Sequence, residues 1–481
     1  MNTPICDFVR GFAESDPARF HMPGHKGKGP TGAERIDITE LPGADVLYPA
    51  KGIILESEKN AASIYGSART IYSAEGSSLC IRAMVYLAMQ YAKLRGRKPL
   101  IAAGRNAHKT FLSALALCDI EVRWIFPRVP QNGEGSEGGA GILSCIISPE
   151  ELEELFMEAE EAGRDVPTAV YVTSPDYLGQ RSDIAGLSGV CRRHGALLIV
   201  DNAHGAYLKF AAAPREAGGS GEGSMHPLDL GADLCCDSSH KTLSVLTGGA
   251  YLHISKGCPE EIVPMAERGM QLFASTSPSY VILQSLDYAN REMASGYRER
   301  VAEASRALDK LKAELKASGW RLIGDEPLKL TLMPKSKGYT GEELAEILQK
   351  QGLYDEFSDP DYLVYMFSAS NTAEEIAAIG RALGRLEAKA EIAERPPTLP
   401  VPERVMSPRE AMLSPFENVP VGLAEGRVLA TPSVGCPPAV PIAISGERIG
   451  REAAELFAYY GIESVDVVLK EFEPGGKTRH A

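Results

Sequence analysis

The chain has 481 residues, 44% of them hydrophobic and 24% charged, and a formal net charge of −14. That length exceeds one ordinary core and implies two to four folded units. The acidic balance argues against nucleic acid as a partner and mildly favours cationic substrates. No stretch approaches the roughly 18 apolar residues that span a bilayer, so no membrane segment is expected.

The first residues have neither a basic start nor an apolar core, so no secretory signal is expected. Nine scattered cysteines fit a reducing compartment and not a disulfide framework. The expected location is cytoplasmic.

In chain order, Phe20-His-Met-Pro-Gly-His-Lys-Gly27 places His21 and His25 at a spacing that binds metal on a helix, but Pro23 and Gly24 forbid that helix. No other His or Cys group has ligand spacing, and Cys235-Cys236 reads as core, so no metal is expected. Ser73-Ala-Glu-Gly-Ser-Ser78 precedes a helical stretch over residues 79–94. Gly76 allows close backbone approach, and Ser77 and Ser78 offer hydroxyls at a helix N-terminus, an arrangement that binds phosphate. A plain N-cap has the same look.

From 98 to 254 the apolar runs 99–103, 122–126, 168–173, 196–200, 232–236 and 249–254 alternate with helical segments such as 150–162 and 187–194. Alternation of this kind predicts a mostly parallel sheet covered on both faces. Residues 131–141 read as a glycine-rich surface loop. One amphipathic helix is expected over 291–318, then strand-like segments at 328–333 and 362–367 in a smaller α/β domain. Five prolines in 394–408 mark a linker before a last unit. The expected divisions are an N-terminal arm (1–60), a large domain (61–290), a small domain (291–393), and a linker with a C-terminal domain (394–481).

In such sheets chemistry gathers beyond the carboxyl ends of the strands. There the chain has Gly104-Arg-Asn-Ala-His108, Ser174-Pro-Asp176, Asp201-Asn-Ala-His204 and Asp237-Ser-Ser-His-Lys241. A lysine held at a sheet's mouth can form a Schiff base once its amine loses its proton, although a lone Ser-His-Lys is more often a surface turn. Asp201 ends the strongest apolar run. A carboxylate there can keep the ring nitrogen of pyridoxal phosphate protonated, or it can cap the next helix. The two features together are rarer than either. His108 can stack on a cofactor ring or sit exposed at a helix end. His204 reads as a pocket wall, and Ser238 as a second phosphate hydroxyl.

At these residues the chain resembles the Orn/Lys/Arg decarboxylases of the fold type I pyridoxal-phosphate enzymes, in the short form without an N-terminal wing domain. The resemblance rests on Arg19-Phe-His-Met-Pro-Gly-His-Lys26, Leu41-Pro-Gly-Ala-Asp45, Ser174-Pro-Asp-Tyr-Leu-Gly179, Ser238-Ser-His-Lys-Thr-Leu243, Ser275-Thr-Ser-Pro278, Cys436-Pro-Pro-Ala-Val-Pro441 and the strand ends above. It implies an aspartate-aminotransferase-like α/β fold with a mostly parallel seven-stranded sheet. It further implies Lys241 as the Schiff-base lysine, Asp201 as the partner of the ring nitrogen, and His108 on the ring face. Ser78, Ser238 and His240 would lie near the phosphate, and His204 beside the cofactor.

Three departures stand out. Leu79-Cys80-Ile81 replaces small hydroxyl residues, with Ser77 as the substitute phosphate hydroxyl. His204 stands where a tryptophan is common, and Pro437-Pro438-Ala439 where Pro-Pro-Gly is. Ser275-Thr276 would reach a neighbouring subunit's cofactor, so a homodimer or higher homo-oligomer is expected. The reaction implied is decarboxylation of arginine, lysine or ornithine, with a marginal preference for arginine. Asp45 and Glu447 are candidates for reading the distal cation. The alternatives are another reaction on the same fold, an aminotransferase or lyase, or a catalytically silent paralogue that binds the cofactor.

Overall fold

A strand such as Leu197-Leu-Ile-Val-Asp201 is apolar on both faces and is stable only where both are covered. The computed structural model describes residues 1–127, 145–212, 223–387, 389–397, 399, 401–434 and 440–475. The expected loop at 131–141 and the Pro437-Pro438-Ala439 departure lie outside them. At the centre is one sheet of β1 (Arg69–Ser73), β2 (Leu100–Gly104), β3 (Glu121–Ile125), β4 (Ala169–Thr173), β5 (Leu197–Asp201), β6 (Leu234–Asp237) and β7 (Ala250–Ile254). The spatial order is β1-β7-β6-β5-β4-β2-β3. Strands β3, β2, β4, β5 and β6 are parallel, and β7 is antiparallel to both β6 and β1.

Six strands match the expected runs to within two residues. β1 has no counterpart among them, because Arg69, Thr70 and Ser73 hide its apolar pattern. Tertiary contacts bury it all the same, with Thr70 Oγ1 lying 2.8 Å from His253 Nδ1 on β7.

Helices α1 (Pro4–Glu14) and α2 (Ile53–Tyr65) precede the sheet, and α3 (Gly76–Leu94), α4 (Lys109–Cys118), α5 (Pro149–Glu161) and α6 (Ile184–Arg193) link its strands. The single turn α7 (Ser239–Thr242) follows β6, and α8 (Ala266–Phe273) and α9 (Tyr280–Met293) follow β7. Alternate residues of β5 serve two cores, as a two-residue period requires. Leu198 and Val200 pack with Leu152 and Phe156 of α5 and Leu187 and Val190 of α6, while Leu197 and Ile199 join the α3 side.

The single helix expected over 291–318 is in fact two. α9 stops at Met293, and α10 (Tyr297–Ala317) starts after Gly296, whose φ of 72° suits glycine. The charge pattern runs straight across this joint, so periodicity misses it.

The small domain holds β8 (Leu322–Ile323), β9 (Lys329–Leu332), α11 (Gly341–Gln349), β10 (Phe357–Ser358), β11 (Leu363–Met366) and α12 (Ala373–Leu383). Its sheet has the order β10-β11-β9-β8 and is antiparallel. Capping boxes at Thr340/Glu343 and Thr372/Glu375 start both helices.

After the small domain come α13 (Pro408–Leu413), β12 (Phe416–Pro420), β13 (Ser433–Val434), β14 (Ala443–Ile444), α14 (Arg451–Tyr459) and β15 (Ser464–Val468). They have their own core around Leu429, Ile442, Phe457 and Val467. A buried bidentate pair, Arg105 to Glu447 at 2.7 and 2.6 Å, ties this unit to the end of β2.

Candidate active site

Beyond the carboxyl ends of β2, β4, β5 and β6 lies a crevice of about 330 Å³, within the size range of small-molecule sites. Three units wall it. Ser77, His108, Asp201, His204 and Lys241 come from the large domain, Phe357 from the small one, and Ser433 and Pro441 from the C-terminal unit.

Asp201, the last residue of β5, is 2% exposed. Tyr171 donates its hydroxyl to Oδ2 at 2.8 Å, Ala203 N–H donates to Oδ1 at 3.2 Å, and the Cys236 thiol lies 3.5 Å from Oδ1. These donors fix the carboxylate's orientation. It does not act as a helix cap, since the following 3-10 turn at Ala206–Lys209 has no side-chain cap. Lys241 sits in α7, one turn beyond β6, half-buried. Burial lowers its amine's pKa and the charge of Lys329 adds to the effect, while Asp201 and Glu356 oppose it.

α3 begins at Gly76, whose φ is 69° and where an added Cβ would meet nothing within 4 Å. Conformation, not space, calls for glycine there. Its N-cap, Glu75, makes no side-chain cap bond, so the first-turn N–H groups of Ser77 and Ser78 have no intrahelical acceptor. Ser238 Oγ donates to Ser77 Oγ at 2.8 Å, and Ser78 Oγ is 3.2 Å from Thr110 Oγ1, which is 3.0 Å from His108 Nδ1. Leu79, Cys80 and Ile81 are buried and fasten α3 to the sheet. The two serines before them are partly exposed, and Ile81 also lines the crevice.

His108 caps α4, its Nδ1 accepting Thr110 N–H at 3.2 Å. It opens on the crevice, yet desolvation between the walls lowers its pKa; Lys241 and Lys109 reinforce this and Asp201 opposes it. His240 binds the Gly249 carbonyl at 2.9 Å, bracing the turn that presents Lys241 and flanking the crevice without lining it. Thr276 is exposed between α8 and α9 and does not line this chain's own crevice.

Both acids expected to read a distal cation are already engaged. Asp45 accepts backbone N–H groups from Lys51, Gly52, Ile54 and Leu55 and thereby caps α2. Glu447 is held by Arg105 and also accepts Ile444 N–H at 2.9 Å. Instead the structure brings Glu356, beside Phe357, close enough for its charge to act on Lys241, and Tyr177 donates its hydroxyl to it at 3.1 Å. One exposed glutamate 115 positions beyond the lysine carries no signal in sequence.

His25 meets Asp37 at 3.2 Å with no helix around it. Among the described residues one group has metal-ligand chemistry, the buried His226, Asp237 and His253. Their atoms are already paired. Asp237 Oδ2 accepts from His226 at 3.0 Å and His253 at 3.2 Å, and Oδ1 accepts from Asn202 at 2.7 Å. Burial works against the charge, but the imidazoles outweigh it and hold this carboxyl below its usual range. The trio anchors β6 directly under α7.

A family model described as the Orn/Lys/Arg decarboxylase major domain matches residues 3–323, and one for the C-terminal domain of the same family matches 390–474. The arginine decarboxylase of Halalkalibacterium halodurans is 28% identical over 478 residues, covering 93% of this chain and 91% of that protein. For the arginine decarboxylase of Bacillus subtilis the figures are 26% over 509 residues, 99% and 96%. The lysine decarboxylase of Francisella novicida superposes with a TM-score of 0.74 at 16% identity, over 97% of this chain and 81% of that one. At that identity the likeness is one of fold.

Proposed function

The chain belongs to the Orn/Lys/Arg decarboxylase family and is a pyridoxal-phosphate-dependent carboxy-lyase, and from this we propose that it converts a basic amino acid, arginine first, to the amine and CO2. The observation that carries the reading is Lys241 and Asp201 lining one crevice, with Glu356 near enough for its charge to act on the amine. Arginine heads the list because several relatives matched nearly end to end, those of Halalkalibacterium halodurans and Bacillus subtilis among them, are named arginine decarboxylases.

The donor set fits the cofactor. Asp201 suits the pyridine nitrogen and Lys241 the aldehyde. Ser77, Ser78, Ser238 and His240, with the first turn of α3, suit the phosphate. Bound pyridoxal phosphate supplies the sink for the electron pair left when the carboxylate departs.

The chain's own residues do the rest. Burial keeps a larger share of Lys241 neutral than a surface lysine has, so its amine attacks a carbonyl carbon readily. Asp201 holds the proton at the ring nitrogen. His108, its pKa lowered, would face the ring of a bound cofactor without adding a competing charge. Ile81, Pro175, Tyr177, Phe357 and Pro441 exclude water around the substrate carboxylate, which favours its loss because charge disperses in that step. Glu356 accepts the distal guanidinium or ammonium. With the cofactor bound, Lys241 would be placed to take the aldehyde carbon back as the amine leaves.

Thr276 of one subunit reaches the crevice of the next, so the working unit is a homodimer or larger assembly. No helix among the described residues is long and apolar enough to cross a membrane, in keeping with work in the cytoplasm.

The test is the visible spectrum of the protein and of Lys241→Ala with pyridoxal phosphate, followed by CO2 release from arginine, lysine and ornithine. The expected result is a yellow wild type, no lysine-linked band in the variant, and CO2 chiefly from arginine. A yellow protein that releases no CO2 from any of the three overturns the proposal.

A further inference from the structure

Where β9 meets the large domain, Lys329 and Glu326 form an ion pair of 2.7 Å, each side chain 1% exposed. The Lys329 Nζ also donates to the Asp176 carbonyl at 3.2 Å and lies 2.9 Å from His204 Nδ1. Tyr207 donates its hydroxyl to the other Glu326 oxygen at 3.3 Å, and the Asp325 and Glu326 N–H groups donate to the Gly179 carbonyl at 2.8 and 2.9 Å. At Gly179, φ 84°, an added Cβ would stand 3.0 Å from the Lys329 chain, so the glycine lets the two domains close on each other. The amine is thus held from both sides of the seam.

An ammonium has three donors and no lone pair. The His204 nitrogen facing it must therefore accept, and the ring's single proton must sit on Nε2. Protonating Nδ1 would set two donors against each other. Glu326 answers the Lys329 charge and leaves none for the imidazole. The other charged or titratable groups acting on the ring are Lys241 and His108, with the Tyr177 ring edge-on at 5.1 Å. Burial first, then Lys329, Lys241 and His108, hold His204 well below its ordinary pKa.

We infer that Lys329 is a positioning residue that locks His204 as a neutral imidazole whose Nε2–H is a donor to an anionic oxygen in the crevice, the cofactor's ring oxygen or the substrate's carboxylate. The donor exists only while the small domain is seated, because Lys329 and Glu326 both belong to it. The inference rests on the cofactor occupying this crevice.

The experiment compares wild type, His204→Phe and the paired variant Lys329→Met/Glu326→Gln, which removes the donor without stranding a buried charge. The pH titration of the holoenzyme's visible band and the KM for arginine are measured for each. An oxyanion that loses a donor holds a proton more tightly. If the oxygen is the cofactor's, both variants raise the titration midpoint by about one pH unit with KM little changed. If it is the substrate's, the midpoint stays and KM rises about tenfold in both.

The inference is overturned if the paired variant matches wild type in both readings while His204→Phe does not. A second arm does not depend on the variants' stability. In wild-type protein labelled with 15N-histidine, the signal that His204→Phe removes should show the Nε2–H tautomer. An Nδ1–H or doubly protonated ring overturns the inference. A wild type with no visible band would instead remove the cofactor reading, and the nitrogen spectrum would still decide the tautomer.

Discussion

Asp201 and Glu356 are both carboxylates near Lys241, yet their surroundings assign them different work. Asp201 is buried at a strand end under three donors, whereas Glu356 is exposed and accepts one hydrogen bond, from Tyr177, among the described residues. On the proposed reading, a buried acid at the ring nitrogen acts on the step in which charge develops. Asp201→Asn should therefore lower kcat by on the order of a hundredfold or more while a visible band is retained. An acid that reads only the far cation contributes binding. Glu356→Gln should raise KM for arginine roughly 10- to 100-fold, the cost of one charge-assisted bond, and leave kcat within a few-fold. Steady-state kinetics separate the two, and a kcat loss at Glu356 with unchanged KM would contradict its assignment.

At the scale of elements, α2 is tied to its neighbours by two buried carboxylates, Asp45 and Glu58. Asp45 supplies the cap that Gly52 lacks, so Asp45→Ala should cost about 1–2 kcal/mol in denaturant unfolding. Glu58, also on α2, accepts Tyr72 N–H at 3.0 Å but is fully buried, and burial lifts its pKa to about 8, against the pull of that bond and of Arg69.

A carboxyl raised in this way binds its proton more tightly when folded. Its contribution to stability is complete below about 4.5 and is lost as the pH rises through 8. Glu58→Gln should therefore unfold at a higher temperature than wild type at pH 9, the gap closing toward pH 5. A wild type that gains on the variant as pH rises would refute the assignment.

At the scale of the molecule, the crevice is assembled from three units, and the buried Arg105–Glu447 pair helps fasten the C-terminal one. Both side chains are buried, and Asn106 and His108 follow directly on Arg105. Glu447→Ala strands a buried guanidinium and should cost about 3–5 kcal/mol in thermal or denaturant unfolding. The paired variant Arg105→Met/Glu447→Leu should recover most of that loss. If Glu447→Ala alone is neutral, the C-terminal unit is held by its apolar contacts.

By itself the sequence determined the central sheet and the polar strand ends. A parallel strand covered on both faces must be continuously apolar, and a polar residue ending such a run must lie at the sheet's rim. The positions of His108, Asp201, His204 and Lys241 were legible for that reason, and Ser77 was legible as a hydroxyl at a helix N-terminus. Other features were decided only by the tertiary structure. β1 is buried through partners almost two hundred residues away. The joint at 294–296 breaks a helix whose charges keep their period. Asp45 and Glu447, acids in suggestive motifs, were drawn into a cap and an ion pair, while Glu356 and Lys329 come near Lys241 and His204 only because the small domain packs against the large one. Period and local chemistry are properties of neighbours along the chain. Which side chains face one another across a seam depends on how whole domains pack, and no local pattern encodes it.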